Sequence, residues 1–155
     1  MPVPAPSPIS TLAIFKLKAD GRFSLNRVVV PLDTTSIDAG KYLPHIPKNQ
    51  FPGQALTVEL YREWGIRAVE IGSLMFGGYD PVTGEEIAAP KELVRLAVPR
   101  RVFTGSHLDY VADVIQRITA RKGEIRGLKI ARQATYLRHF TIELEELTDR
   151  TMKVK

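Results

Sequence analysis

A short apolar strand that carries one arginine, followed at once by the start of a helix, constrains this chain most. Within residues 92–109, Val94 and Leu96 alternate onto one face of a strand, which leaves Arg95 on the other face. A guanidinium group presents a rigid fork of donors that fits a carboxylate or a phosphate. The residues alone leave two interpretations open. Arg95 binds the carboxylate of an amino-acid ligand, or it makes an internal ion pair or faces solvent.

Two helices are predicted from apolar periodicity and from the residues at their ends. The first lies at residues 52–65, where Leu56 and Leu60 are spaced four residues apart. Proline at the start of this segment and glycine at its end are typical of helix termini. The second helix is predicted to begin at Ser106, which is a good N-cap residue, and to end near Gly123.

The remaining apolar runs predict strands, at residues 66–74, around Arg95, at 127–131 and at 137–146. In the last of these, alternation places Phe140 inward and His139 on the opposite face. Residues 76–90 are predicted to form a loop. Because helices and strands mix without regular β-α-β spacing, a doubly wound parallel sheet is disfavoured. We therefore expect an α/β fold of the two-layer α+β type, with helices packed against a small mixed or antiparallel sheet.

The N-terminal part of the chain combines a proline-rich lead with two apolar segments. Residues 1–9 contain four prolines and little apolar surface, so we expect a mobile tail. Residues 11–18 and 23–32 are rich in apolar and β-branched side chains, and the turn at 19–22 joins them into a predicted hairpin. We expect residues 10–155 to form a single α/β domain.

Composition excludes several classes of protein. With 155 residues, 44% of them hydrophobic and 25% charged, the chain is typical of a globular domain that buries a core. It has no cysteine, and its histidines and carboxylates lack metal-binding spacing, so no metal site is predicted. No apolar stretch spans a bilayer and no leader peptide is recognisable, so we expect a cytoplasmic location. The net charge of +5 is spread along the chain, and no nucleic-acid partner is predicted.

Several uncommon strings follow one another along the chain. They are IDAGKYLPHIP at 37–47, FPGQAL at 51–56, GIRAVEIGS at 65–73, VRL at 94–96, SHLD at 106–109 and LRHFT at 137–141. In order and spacing, they resemble the C-terminal third of the aromatic amino-acid β-eliminating lyases, and the tryptophanase branch more than the tyrosine phenol-lyase branch. The resemblance covers residues 37–145 and does not extend to residues 1–36.

The resemblance implies a fold and a chemistry. The family enzymes are longer, fold-type-I pyridoxal-phosphate proteins, and the matched region corresponds to their small C-terminal domain. The family reaction is the β-elimination of L-tryptophan to indole, pyruvate and ammonia, with the cofactor as the electron sink. The cofactor lysine and the phosphate-binding loop of the family have no counterpart in this sequence, and Lys41 lies in a different string. We therefore expect a truncated tryptophanase-like protein that binds no pyridoxal phosphate by itself.

The resemblance also assigns roles to three residues. Arg95 corresponds to the residue that binds the α-carboxylate of the substrate. His139 corresponds to a histidine near the indole ring in tryptophanases, although taken by itself it would be a histidine on a strand surface. Ile71 corresponds to an apolar residue in tryptophanases, where tyrosine phenol-lyases have an arginine. Since indole requires an apolar wall, the last two assignments favour the tryptophan branch. No catalytic, cofactor-binding or metal-binding residue is predicted on this chain alone.

The chain is thus predicted to supply the small domain of a tryptophanase-like lyase and to lack β-eliminating activity alone. The partners implied are a separately encoded large domain or further copies of the chain, with an amino-acid substrate once the site is complete. Neither a membrane nor a nucleic acid is implied. The alternative is a non-catalytic remnant or binding module that uses the same scaffold. In a third interpretation, residues 1–36 rebuild a pocket for free amino acids.

Overall fold

A computed structural model describes residues 12–17, 23–28, 34–99, 101–134 and 137–148, with side chains from Ser36 onward. In chain order, the helices and strands are β1 (Leu12–Leu17), β2 (Phe23–Val28), β3 (Thr34–Asp38), α1 (Ala39–Tyr42), α2 (Pro52–Trp64), β4 (Val69–Ile71), α3 (Ser73–Phe76), β5 (Gly78–Tyr79), β6 (Glu86–Ile87), β7 (Leu93–Ala97), α4 (Gly105–Arg121), β8 (Leu128–Arg132), α5 (Arg138–Thr141) and β9 (Glu143–Glu146). Short 3-10 turns lie at Lys48–Gln50 and Lys122–Glu124.

The chain divides into two compact units. One consists of residues 1–35 and 97–120, and the other of residues 36–96 and 121–155. The single domain that we expect over residues 10–155 therefore stays a prediction. The proposed tail at 1–9 and the hairpin turn at 19–22 lie outside the described residues.

The first unit contains the predicted hairpin. β1 and β2 pair antiparallel, with Leu12 opposite Val28 and Leu17 opposite Phe23. The hairpin prediction is therefore confirmed for its two strands.

The first unit also contains most of α4, and the start of this helix differs from the prediction. The helix begins at Gly105, and the hydrogen bonds at its start are made by Thr104 rather than by the predicted Ser106. The backbone N–H of Thr104 donates to Nδ1 of His107 at 3.2 Å, and the Thr104 carbonyl accepts from the backbone N–H of His107 and of Leu108. This reciprocal contact satisfies backbone groups that the first turn of a helix leaves without partners.

The second unit contains helices and small antiparallel sheets, which confirms the α+β class. Its three-stranded sheet has the order β3-β7-β4, and β4 runs antiparallel to β7. Two further pairs, β5 with β6 and β8 with β9, are also antiparallel. The strands of this unit are thus divided among several short sheets.

The helix α2 agrees with the sequence prediction. Pro52 occupies its first turn, and Leu56 and Leu60 are buried to 1% and 0% relative exposure. Gly65 ends the helix with φ of 66°, and its N–H donates back to the carbonyls of the last turn. The apolar stripe, the proline at the start and the glycine at the end were enough to predict this helix.

The strand predicted at residues 66–74 is confirmed only at Val69–Ile71 and is wrong on either side of it. The chain leaves β4 at Gly72 and turns into α3, where the backbone N–H of Ser73 donates to Glu92 and that of Leu74 donates to Glu70. These bonds to carboxylates replace the ladder bonds that a longer strand needs. The predicted loop at 76–90 also contains the short β5–β6 pair.

The strand predicted at residues 137–146 is wrong in its first half. Leu137 adopts a left-handed backbone with φ of 56°, and the next four residues form α5. Only β9 is extended, and it pairs with β8. Phe140 is 82% exposed instead of facing inward. The left-handed residue redirects the chain, so strand alternation does not apply until Glu143.

Candidate functional site

The site predicted from the sequence lies on the β4–β7 ladder of the second unit. In this antiparallel pair, Val69 is opposite Arg95 and Ile71 is opposite Leu93. Opposite residues share a face, and residues two apart on a strand share a face, so Arg95 and Ile71 are diagonal neighbours on one side of the sheet. Arg95 is exposed and Ile71 is half-buried.

The alternation predicted around Arg95 is confirmed. Val94 and Leu96 are 0% and 6% exposed, whereas Arg95 points the other way. Among the described residues, no carboxylate lies within 4.0 Å of the Arg95 guanidinium. The internal ion pair that the sequence left open is therefore not formed within the described part of the chain.

The opposite face of the same ladder carries a buried carboxylate that the sequence did not predict. Glu70 lies between Val69 and Ile71 in β4 and is 1% exposed, and Glu92, just before β7, is also 1% exposed. Both carboxylates approach Gly72. A Cβ atom there would lie 2.5 Å from Glu92 Oε2 and 2.6 Å from Glu70 Oε1. The two oxygens are therefore no more than about 5 Å apart.

Hydrogen bonds from α3 hold one oxygen of each carboxylate. The backbone N–H of Ser73 donates to Glu92 Oε1 at 3.1 Å, and the Ser73 hydroxyl donates to the same oxygen. Ser73 Oγ also accepts from the backbone N–H of Ala89 at 2.9 Å. The backbone N–H of Leu74 donates to Glu70 Oε1 at 3.2 Å. Within the described residues, Oε2 of Glu70 and Oε2 of Glu92 have no hydrogen-bond partner.

The burial of these carboxylates disfavours their charged forms. Burial raises the pKa of Glu70 to about 7, against a lowering by the Leu74 N–H, and the charge of Glu92 raises it further. Burial likewise raises the pKa of Glu92, although its hydrogen bonds from Ser73 act in the opposite direction. The pair is thus ready to retain a proton near neutral pH.

His139 faces this carboxylate pair. It lies in α5 rather than on a strand, its side chain is 20% exposed, and its Nδ1 is 3.8 Å from Glu70 Oε2. Since Glu70 and Ile71 point to opposite sides of β4, His139 is not on the face that carries Ile71 and Arg95. Of the three predicted residues, the structure brings together Ile71 and Arg95 and leaves His139 on the other side.

The residue before His139 fixes the position of α5. Arg138 pairs with Glu86 across 52 positions of sequence, and its guanidinium lies 5.7 Å from the ring centre of Phe51 and 5.4 Å from that of Tyr79. Such cation–π contacts and the ion pair together hold the short helix against the β5–β6 pair.

A cavity of about 440 Å³ borders His139. Its lining combines apolar side chains with a few polar ones, namely Gln54, Val58, Arg62, Leu74, Leu128, His139, Ile142, Leu144 and Glu146. Arg62 and Glu146 pair with each other at 2.7 Å. This cavity contains neither Arg95 nor Ile71.

The described residues do not fit pyridoxal phosphate, the cofactor that the resemblance implies. A Schiff-base lysine requires an amine that is desolvated and placed in a pocket. No described lysine is buried. Lys41 is 88% exposed and lies 3.4 Å from Asp38, and Lys48 donates to the carbonyls of Ala89 and Pro90. The described residues also contain no group of three or more potential metal ligands.

Sequence reasoning missed Glu70, Glu92 and Arg138. A signal for Glu70 was present, since this residue sits between two β-branched residues and lies two positions before a glycine. The predicted strand was given no buried face, and the structure buries the face that carries Glu70. No local pattern marks Glu92 or Arg138, because their partners are distant in sequence.

The matched relatives are named tryptophanase. No protein-family model matches the chain. The chain is 49% identical over 111 residues to a tryptophanase of Haemophilus influenzae, with 72% of this chain and 23% of that protein covered. Tryptophanases of Haemophilus influenzae (strain 86-028NP) and of Escherichia coli O9:H4 (strain HS) are 48% and 47% identical over the same coverage. The chain thus spans about a quarter of the length of these relatives.

Fold and sequence comparison therefore define an α+β chain that corresponds to a limited part of a larger protein. Over most of its length, this chain has tryptophanases as its homologues, which confirms the resemblance predicted from the sequence.

Among the described residues, no helix is both long and apolar enough to cross a membrane.

Proposed function

We propose that this chain supplies the small domain of a tryptophanase-like lyase and that it binds substrate without providing cofactor chemistry. In this role, Arg95 binds the α-carboxylate of L-tryptophan, Ile71 forms an apolar wall, and His139 lies near the indole ring. The pyridoxal phosphate, and with it the β-elimination to indole, pyruvate and ammonia, belongs to a complementing large domain. The complex acts in the cytoplasm.

The observation that carries the proposal is the exposed guanidinium of Arg95, which has no carboxylate partner among the described residues. An exposed arginine in the middle of a strand, with no carboxylate within 4.0 Å among the described residues, is available for an external anion. Val94 and Leu96 are buried on the reverse side, so the strand that carries Arg95 is fixed in place. A fixed guanidinium binds a carboxylate through two parallel hydrogen bonds and thereby orients the ligand.

The positions of Ile71 and His139 support an incomplete site. Ile71 lies beside Arg95, whereas His139 lies on the opposite side of β4 and borders a separate cavity. Residues on two sides of a strand do not enclose one small ligand without a further body at the strand edge. A site that needs such a body is consistent with a chain that spans 23% of the length of its relatives.

Exposed apolar side chains near α5 support a complementing large domain as the partner. Around α3, α5 and the β5–β6 pair, five large apolar side chains are 46% to 82% exposed, namely Phe76, Tyr79, Ile87, Leu137 and Phe140. Several large exposed apolar side chains on neighbouring elements are typical of an interaction site. The region of the relatives that this chain does not match is the partner that we propose for it.

The test combines the full chain with the missing region. The purified chain is first titrated with pyridoxal phosphate by absorbance, then given L-tryptophan, and released indole is assayed. We expect neither a new cofactor band nor indole, because no described lysine is buried. The measurement is then repeated with a fragment of a tryptophanase that comprises the part this chain does not match. In this mixture we expect indole release.

Matched arginine variants make the test specific. Arg95→Ala should reduce indole release from the mixture by on the order of 100-fold, since the substrate loses its orienting contact. Arg67→Ala is the control, because Arg67 is also exposed and contacts only the Tyr61 ring among its recorded partners. Indole release by the chain alone, or equal effects of the two variants, would contradict the proposal.

The second candidate function is a non-catalytic binding module. It is favoured by the same absence of a buried lysine among the described residues, together with the exposed Arg95. The two candidates differ in one respect. A binding module retains amino-acid binding that Arg95→Ala abolishes, yet gives no indole with the large-domain fragment. Chemical-shift changes on titration with L-tryptophan measure that binding directly.

A further inference from the structure

The surroundings of His139 point to one carboxylate as its partner. His139 Nδ1 is buried and has no hydrogen-bond partner among the described residues, and the same is true of Glu70 Oε2, 3.8 Å away. Each buried polar atom without a partner lowers the stability of the fold. Together, these two atoms can serve as a hydrogen-bond donor and its acceptor. We propose that Glu70 is a positioning residue for His139, which accepts a hydrogen bond from Nδ1–H and thereby fixes the tautomer and orientation of the imidazole.

The other charged groups near His139 already have partners. Glu146, which lines the same cavity, is bound by Arg62 at 2.7 Å. Arg138, next to His139 in α5, pairs with Glu86. Glu92 is engaged through Oε1 by Ser73, and its Oε2 has no partner among the described residues, but the carboxylate contact recorded within 4.0 Å of His139 Nδ1 is with Glu70 Oε2. Glu70 Oε2 is therefore the carboxylate oxygen placed for the imidazole.

The recorded separation of 3.8 Å is longer than a hydrogen bond, so the proposal requires a rotation of the imidazole ring that brings Nδ1 within about 3.2 Å of the oxygen. With Nδ1–H directed at Glu70, the opposite nitrogen lacks a proton and becomes an acceptor, and His139 is one of the residues that line the cavity. A histidine held in this way accepts a proton or a hydrogen bond from a ligand in the cavity, as in other carboxylate–histidine pairs. This inference concerns the free chain and is independent of the proposed lyase role.

The other two histidines provide internal references. Nε2 of His45 lies 2.9 Å from the carbonyl of Ile125, so it must carry the proton. Nδ1 of His107 accepts from the backbone N–H of Thr104, so the proton of its neutral ring is again on Nε2. The inference therefore sets His139, with its proton on Nδ1, apart from the only two other histidines in the sequence.

The test is a long-range ¹H–¹⁵N NMR correlation of the histidine rings in the full chain, recorded at about pH 8.5, well above the ordinary histidine pKa of about 6.5. The signals are assigned with His45→Gln and His107→Gln. We expect the Nδ1–H pattern for His139 and the Nε2–H pattern for the others. An Nε2–H pattern for His139 in the unmodified chain overturns the proposal without the need for any Glu70 variant.

Variants separate positioning from general packing. Glu70→Leu should convert His139 to the Nε2–H form, whereas Glu70→Gln should retain Nδ1–H because the amide oxygen still accepts. Glu92→Gln is the matched control, since it removes the neighbouring buried carboxylate but not the proposed acceptor, and should leave the tautomer unchanged. Retention of Nδ1–H in a folded Glu70→Leu chain contradicts the proposal, as does loss of Nδ1–H in folded Glu92→Gln.

Discussion

Glu92 fills the space that a side chain at Gly72 would occupy, with its Oε2 at 2.5 Å from the position of a Cβ atom there. Glu70 Oε1 approaches the same position to 2.6 Å. Both contacts are too short for a real Cβ atom, and both carboxylates are held by α3. Gly72 is therefore required by the buried pair.

Gly72→Ala should lower the free energy of unfolding by about 1–3 kcal/mol, because the methyl group forces buried carboxylates to move. Gly78→Ala is the control, since nothing lies within 4 Å of a Cβ atom there. Chemical denaturation of both variants measures the difference. Equal stabilities for the two variants would show that the two buried carboxylates move aside without a loss of stability.

Glu70→Gln should make the chain more stable at pH 8 than the unmodified chain and leave it nearly unchanged at pH 4.5. Burial raises the pKa of Glu70 from 4.5 to about 7, so the folded chain holds more protons than the unfolded chain within this window. The Glu70 contribution to stability therefore decreases as pH rises from 4.5 to 7 and levels off above. A shift of this size corresponds to about 3 kcal/mol. Unfolding free energies of both chains at several pH values give the difference, and a difference that does not vary with pH contradicts this account.

Arg138→Ala and Glu86→Ala should show an interaction energy of about 1–2 kcal/mol in a double-mutant cycle, because the two side chains are only 14% and 21% exposed. Arg132 and Glu143, which are 75% and 55% exposed, provide the matched surface pair. For that pair we expect no measurable interaction, since water and salt screen it. Interaction energies of similar size for the two pairs would mean that burial does not strengthen the Arg138 contact.

Arg95→Ala should change the free energy of unfolding by no more than about 0.5 kcal/mol, as is typical of an exposed side chain that has no ion-pair partner within the described part of the chain. Leu96→Ala, one residue further along β7 and 6% exposed, should cost about 2–5 kcal/mol. Thermal or chemical denaturation compares them. A large loss on Arg95→Ala would assign Arg95 a structural role in place of ligand binding.

Elements with complete local signals were predicted well. In α2, a proline, an apolar stripe and a glycine agree, and in β7 the alternation of Val94, Arg95 and Leu96 gives the correct buried face. Both patterns depend only on residues within one element, so the sequence contains all the information needed.

Elements fixed by distant partners were not predicted. Arg138 meets Glu86 from 52 positions away, and Leu137 takes a left-handed backbone, so the first half of the predicted strand becomes α5. Glu70 and Glu92 are joined through Ser73 and the space at Gly72, and no spacing rule brings them together. A correct pairing register of β4 and β7 would have predicted that Ile71 and Arg95 share one face. It would not have predicted the position of His139, which lies in α5.

The cap of α4 makes the opening turn of that helix depend on one side chain. The Thr104 amide donates to Nδ1 of His107, so the imidazole supplies the acceptor that this backbone N–H needs. His107→Ala should remove that acceptor and loosen the first turn of α4, whereas His45→Ala, at a histidine outside this helix, should not. Faster exchange of the Thr104 amide hydrogen with solvent in the His107→Ala chain alone would report it.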